Sequence, residues 1–249
     1  MISDFAGVSL SLFALLAVTA FIAGLARGFS GFGAALIFVP LAARFLGPQA
    51  AAPLLLLTDG IVALPLMWTS WEKARKPEVA LMAVGGFVGV PLGTVALALG
   101  DPHLLRWFIT LLVAAMLVLL VSGWRYGGKP HAGMTVAVGV TSGVFSGLAQ
   151  LAGPPVVAYW LGGNHDHREM RASTILYFAF STMMAFASYL VGKLLTIAIF
   201  KLALLLVPFF AAGLYAGSKV FHLASADTFR RICLALIGLS LAISLPVWG

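Results

Sequence analysis

The stretch Arg27-Gly28-Phe29-Ser30-Gly31-Phe32-Gly33 separates two apolar runs, and its reading decides how the chain is built. Glycine reaches backbone angles closed to other residues and weakens a helix interior by roughly 1 kcal/mol relative to alanine. Glycines at 28, 31 and 33 therefore predict a loop or unwound turn across this stretch. A looser echo follows at Ser142-Gly143-Val144-Phe145-Ser146-Gly147-Leu148.

Composition sets the class around this break. Of 249 residues, 61% are apolar and 9% are charged, against roughly 25% charged in a soluble domain, so most of this surface cannot face water. A hydrocarbon core of about 30 Å takes helical runs of about 20 residues, which predicts an all-α polytopic membrane protein. The net charge of +7 comes from fifteen basic residues, mostly in short loops. In that setting basic residues report orientation in the bilayer, not nucleic-acid binding. Cys233 is the single cysteine, which excludes an internal disulfide or a cysteine-rich metal site. The start, Met1-Ile2-Ser3-Asp4-Phe5, lacks the basic region of a cleaved signal peptide, so the first apolar run is expected to stay.

The apolar runs fall into two similar series. The first has runs at about 8–26, 34–46, 50–70, 79–99 and 104–123, with Asp59 in the middle of the third and Pro65 as an expected kink. The second has runs at about 133–149, a break at 150–155, a short helix to Leu161, and runs at 172–191, 195–217 and 228–248. This predicts an N-terminal transmembrane repeat over 1–123, a cytoplasmic linker at 124–131 and a C-terminal repeat over 132–249. Phe29-Ser30-Gly31 is echoed by Phe145-Ser146-Gly147, Gly89 and Gly93 by Gly213 and Gly217, and Arg106 by Arg230. Such weak internal similarity marks transporters built from two related halves. If the basic loop 71–77 is cytoplasmic, alternation puts Arg125, Lys129, Arg168, Arg171 and Lys219 on the same side. Arg44, Arg106, Lys193 and Lys201 fall on the other, as the positive-inside rule requires. Each half then crosses an odd number of times. The expected architecture is two inverted-topology repeats of about five helical segments each, with broken or re-entrant first helix pairs.

Unwound backbone at membrane depth is tolerated only where protein buries it or water reaches it, so each break is expected to line a cavity. The short helix after each break begins with unpaired amides and the positive end of its dipole, a seat for an anion. Gly33 opens one such helix, and Gly153-Pro154-Pro155 opens the other. Ser30, Ser146 and Gln150 add hydrogen-bonding side chains. Arg27 is read either as a snorkelling residue at a helix end or as a ligand whose planar fork suits a carboxylate or sulfonate. Asp59, deep in an apolar run, is read as a coupling residue, as the counter-charge of Arg27, or as a structural hydrogen-bond partner of a broken helix. Gly85, Gly89 and Gly93 form a small-residue seam for helix packing. Asn164-His165-Asp166-His167 reads as an exposed turn, since a structural metal site generally takes four ligands.

The break after a first apolar run, the short helix containing Pro40, the glycine-spaced later helices and the looser second copy resemble the TauE/SafE sulfite exporter (TSUP) family. The resemblance covers nearly the whole chain. It implies movement of small anions, chiefly sulfur oxyanions and organosulfonates, across the bacterial inner membrane. It carries substrate contact onto Gly28, Gly31 and Gly33 in the first copy and onto Gly147, Gly153 and Pro154 in the second. The chain departs from the family pattern in having Phe29, Phe32 and Ala34 among the first glycines and Leu148 to Ala152 in place of a second glycine cluster.

Three functions are weighed. The leading one is a secondary transporter moving a small anion by alternating access, with a proton as the coupling ion and a homodimer as the candidate assembly; no cofactor is expected. The second is a passive anion channel. The third, an intramembrane enzyme, is disfavoured because no nucleophile, paired-carboxylate or metal motif is visible at membrane depth. No nucleotide-binding loop is present to power a pump.

Overall fold

The computed structural model describes residues 8–31, 33–123, 126–127, 131–162, 167–220 and 226–246. The described chain is helical nearly throughout, in ten segments: α1 (Leu10–Ser30), α2 (Ala34–Leu46), α3 (Pro48–Ser70), α4 (Lys76–Leu99), α5 (Pro102–Ser122), α6 (Ala132–Ala149), α7 (Gly153–Gly162), α8 (His167–Val191), α9 (Ile197–Val220) and α10 (Ala226–Ser244). Among the described residues, α1, α4, α5, α6, α8 and α9 are long and apolar enough to cross a membrane. Ala34–Leu46 is a shorter apolar helix. Local signals set several ends. The hydroxyl of Ser9 accepts from the Leu12 amide to open α1, and the Asp101 carboxylate accepts from the amides of His103 and Leu104, each at 3.0 Å, to open α5. Asn164, His165 and Asp166 lie outside the described residues, as does the side chain of His167.

The glycine break is narrower than its composition suggests. Arg27, Gly28, Phe29 and Ser30 continue α1 as helix, and among the described residues of the stretch only Gly31 and Gly33 depart from it. The reason lies in packing. Gly28 does not loosen the helix, because the missing side chain lets α9 approach: a Cβ there would strike the Leu214 carbonyl.

The chain forms two compact units. One gathers Met1–Val62, Asp101–Val121 and Leu194–Gly249; the other gathers Ala63–Gly100 and Ser122–Lys193. Each draws helices from both sides of 124–131. In the first unit α1 packs on α9, and a Cβ on Gly24, Gly28, Gly213 or Gly217 would run into backbone of the facing helix. In the second unit α4 packs on α6 through Gly85, Gly89 and Gly93 on one side and Gly139, Gly143 and Gly147 on the other. The Gly85, Gly89 and Gly93 seam is thus a helix-packing surface. Contacts climb together along both chains, with Gly85 against Val136, Gly89 against Val140 and Gly93 against Val144, so these two helices run parallel. The same holds for α1 and α9, where Gly24 meets Phe210 and Gly28 meets Leu214. The bulky side chains of α4 face outward instead, with Val84, Phe87, Leu92 and Val95 all exposed. That inversion is what a helix in lipid requires, since close backbone approach takes the place of a hydrophobic driving force.

A prediction follows from the seam. Gly89→Ala forces a methyl into the Val140 carbonyl, and overpacking of this kind costs about 1–3 kcal/mol. A lowered melting temperature in detergent is expected, whereas Gly238→Ala, with open space around its Cβ position, should be neutral or slightly stabilising. Equal melting of the two variants would show that the helices are not in backbone contact.

Candidate functional site

In the first unit the break closes on a left-handed turn. Gly31 has φ 83° and its amide donates to the Arg27 carbonyl at 2.7 Å, a conformation that glycine adopts without strain. Arg27, one turn before the end of α1, reaches in two directions. Its Nη1 donates to the Gly31 carbonyl at 3.1 Å, and its Nε lies 2.5 Å from Oδ1 of Asp59 on α3. Both side chains are mostly enclosed, with 15% and 19% of their surface exposed. Oδ1 nonetheless takes no aligned hydrogen bond, so the contact is one of charge more than of geometry. The pair that the sequence offered as one reading of Asp59 is formed. Beyond the break, α2 starts at Ala34 with Gly33 as a cap that has no side chain to cover the first amides. Ala34 to Val39 are buried. The side chain of Ser30 lies outside the described residues.

In the second unit the corresponding break is held by neutral groups. Gln150, at the end of α6, adopts the left-handed conformation with φ 58°, which is uncommon for a residue with a side chain. Three contacts hold it there. Its amide donates to the Ser146 carbonyl at 2.8 Å. Its Nε2 donates to the same carbonyl at 3.1 Å and to the Tyr189 hydroxyl at 3.2 Å. Tyr189, fully buried on α8, donates in turn to the Gly147 carbonyl at 2.9 Å. Ser142 donates to the Ala152 carbonyl at 2.9 Å, and Ser181 of α8 donates to the Ser146 hydroxyl at 2.8 Å. The α7 start at Gly153 is buried, but Pro154 and Pro155 carry no amide hydrogen, so this helix end offers fewer donors than α2. Gly147 itself packs against Val90 of α4.

These two breaks are the same construction. Gly24 and Gly28 pack on α9 as Gly143 and Gly147 pack on α4. Gly31 and Gln150 are the left-handed residues that end the helix, and Ala34 and Gly153 begin the next one. Every pair has the same separation in sequence. The structural partner of Gly147 is therefore Gly28, not Gly31 as the Phe-Ser-Gly echo suggests, and the partner of Ser146 is Arg27. Both are tied to the middle of the third helix of their half, Arg27 to Asp59 and Ser146 to Ser181.

Sequence reading missed Tyr189, Ser181 and Thr94. Thr94 is 3% exposed, its hydroxyl has no hydrogen-bond partner, and its backbone lies against Gly147. The one signal for Ser181 was its place mid-run on α8, matching that of Asp59 on α3. Ser173 and Tyr177 are buried in the second unit, where Ser173 accepts from the Arg75 amide at 2.9 Å and Tyr177 donates to the Gly139 carbonyl at 3.3 Å. Among the described residues no cluster of side chains could hold a metal ion.

Tyr189→Phe removes the hydroxyl that joins Gln150 to Gly147. A loss of about 1 kcal/mol is expected, read as a lower midpoint in detergent unfolding, because the half-buried Gln150 side-chain amide then lacks one acceptor. An unchanged midpoint would mean that the Gln150 turn does not depend on this bond.

A family model described as sulfite exporter TauE/SafE matches residues 16–245 of the chain. No curated protein and no solved structure matches it.

Proposed function

Because the chain belongs to the TauE/SafE sulfite exporter family, a family of membrane transporters, we propose that it is a secondary transporter of a small anion such as sulfite, an organosulfonate or a small organic acid. It works in the bacterial inner membrane by alternating access between inverted repeats. The observation that carries the reading is Arg27, a guanidinium at a helix break inside an apolar bundle. A charge at membrane depth costs upwards of roughly 2.5 kcal/mol and is kept there for function as a rule. Its planar fork matches the oxygens of a sulfonate or carboxylate. Gly28 and Gly31 shape the helix end that carries it, and Gly33 caps α2 without a side chain over its first amides, the end of a helix that suits an anion. Ser30, the neighbour of that helix end, adds a hydroxyl in this reading. Ser146, Gly147, Gln150, Gly153 and Pro154 form the neutral counterpart. Asp59 is the coupling residue and a proton the coupling ion. The inverted arrangement is supported by the pairing of α1 with α9 and of α4 with α6: if successive helices alternate in direction, two halves of five helices are inverted and both pairs run parallel, as they do.

Two measurements test this. In vesicles reconstituted with the protein, unlabelled sulfite inside should accelerate uptake of labelled sulfite; a flux indifferent to the opposite side identifies a channel. Arg27→Lys keeps the charge that Asp59 needs but loses the fork, and should weaken anion affinity about tenfold. Proton coupling through Asp59 requires that Asp59→Asn flatten the pH dependence of counterflow, and an unaltered pH profile would reject it.

A further inference from the structure

The equivalence of the two breaks supplies an internal control on the Arg27–Asp59 ion pair. In both halves a residue one turn before the helix end is tied to the middle of the third helix. In one half the tie is an ion pair and in the other a hydrogen bond between hydroxyls. The hydroxyl tie holds the same construction, with the same glycine contacts and the same left-handed terminus. The fold therefore needs a polar link at this point and does not need charge. An enclosed ion pair is also a poor way to gain stability, since desolvation offsets most of the attraction and neutral replacements are often as stable. The charge must answer to something else.

We propose that Asp59 occupies the anion seat on Arg27 in the empty transporter and is the built-in competitor that a small anion displaces. The inference rests on the reading of Arg27 as the anion ligand. Three features favour it. The Asp59 carboxylate oxygen contacts the guanidinium where an oxygen of a carboxylate or sulfonate ligand would. The guanidinium is anchored separately, through Nη1 on the Gly31 carbonyl, so it stays at the break when Asp59 leaves. The contact with Asp59 is unaligned, its Oδ1 being buried with no hydrogen bond, which suits a partner that must be exchanged. Selectivity follows: a ligand must outcompete a carboxylate that is already tethered, so neutral molecules fail to open the pair.

The test reads the accessibility of Arg27 and does not depend on transport. Phenylglyoxal condenses with arginine guanidinium groups, and the extent at Arg27 is read by peptide mass spectrometry on detergent-solubilised full-length protein. Modification of Arg27 should be about tenfold faster in Asp59→Asn than in the unsubstituted protein, as expected when a charged partner is removed. Methanesulfonate should slow it again in the variant. Asp59→Ser provides the same comparison if the asparagine variant does not accumulate. Equal rates with and without Asp59 overturn the competitor role. Faster modification that methanesulfonate does not slow shows that Asp59 covers Arg27, but removes the anion reading of Arg27 and the competitor role with it. The double variant Arg27→Ser/Asp59→Ser, which copies the other half, should melt within a few degrees of the unsubstituted protein. Failure to fold would overturn the claim that the charge is dispensable for structure.

Discussion

Close backbone contact between glycine-faced helices is the constraint on which the rest of the structure depends. In lipid there is no hydrophobic gain in bringing helices together, so association depends on packing and on polar links. Glycine removes the side chain that would hold the helices apart, and here it does so in register. Gly24, Gly28, Gly213 and Gly217 join α1 to α9, while Gly85, Gly89 and Gly93 join α4 to α6. Both pairings link a helix of one half of the sequence to a helix of the other. The two compact units are therefore interleaved in sequence, and neither could form from one half alone.

This constraint also explains why the breaks sit where they do. The last packing glycine of α1 is Gly28 and that of α6 is Gly147, and each helix ends within one turn of it. Past that point the chain turns back through a left-handed residue. Glycine does this without strain at Gly31, whereas Gln150 is held in the same conformation by its hydrogen bonds to Ser146 and Tyr189. The second break is thus a closed network of neutral groups. The first has a glycine turn and a charge, and on the proposed reading that difference separates a structural turn from a binding seat.

Much of the architecture was legible in the amino-acid pattern because lipid imposes a length and a polarity on every crossing. The bounds of α2 are those of its apolar run, 34–46, since glycines close it on both sides. The Gly85, Gly89 and Gly93 spacing declared a packing face. What it could not declare was the partner, because any apolar helix with small residues offers the same surface. The extent of the first break was overread for a related reason: glycine loosens a helix in water but allows contact in a bundle, and the sequence of 27–33 does not say which holds. The register between halves slipped because Phe-Ser-Gly is a chance likeness, whereas the true correspondence joins Arg27 to Ser146 and has no chemical resemblance to reveal it. The Arg27–Asp59 pair was readable only as one option, since two isolated charges at membrane depth need each other whatever the topology.

The asymmetry of the two polar ties has a consequence for how a charged solute crosses. On the proposed reading, the empty site holds one cation and one anion and is neutral, so its reorientation moves no net charge through the low-dielectric core. A bound anion adds a negative charge, and the loaded site regains neutrality only when Asp59 takes up a proton or gives way to the ligand and is compensated elsewhere. One half carries the charged tie, and the other has the same geometry without the charge. On the proposed reading the two breaks share the mechanical element and differ in the chemical one, so that a repeated scaffold carries a single charged seat.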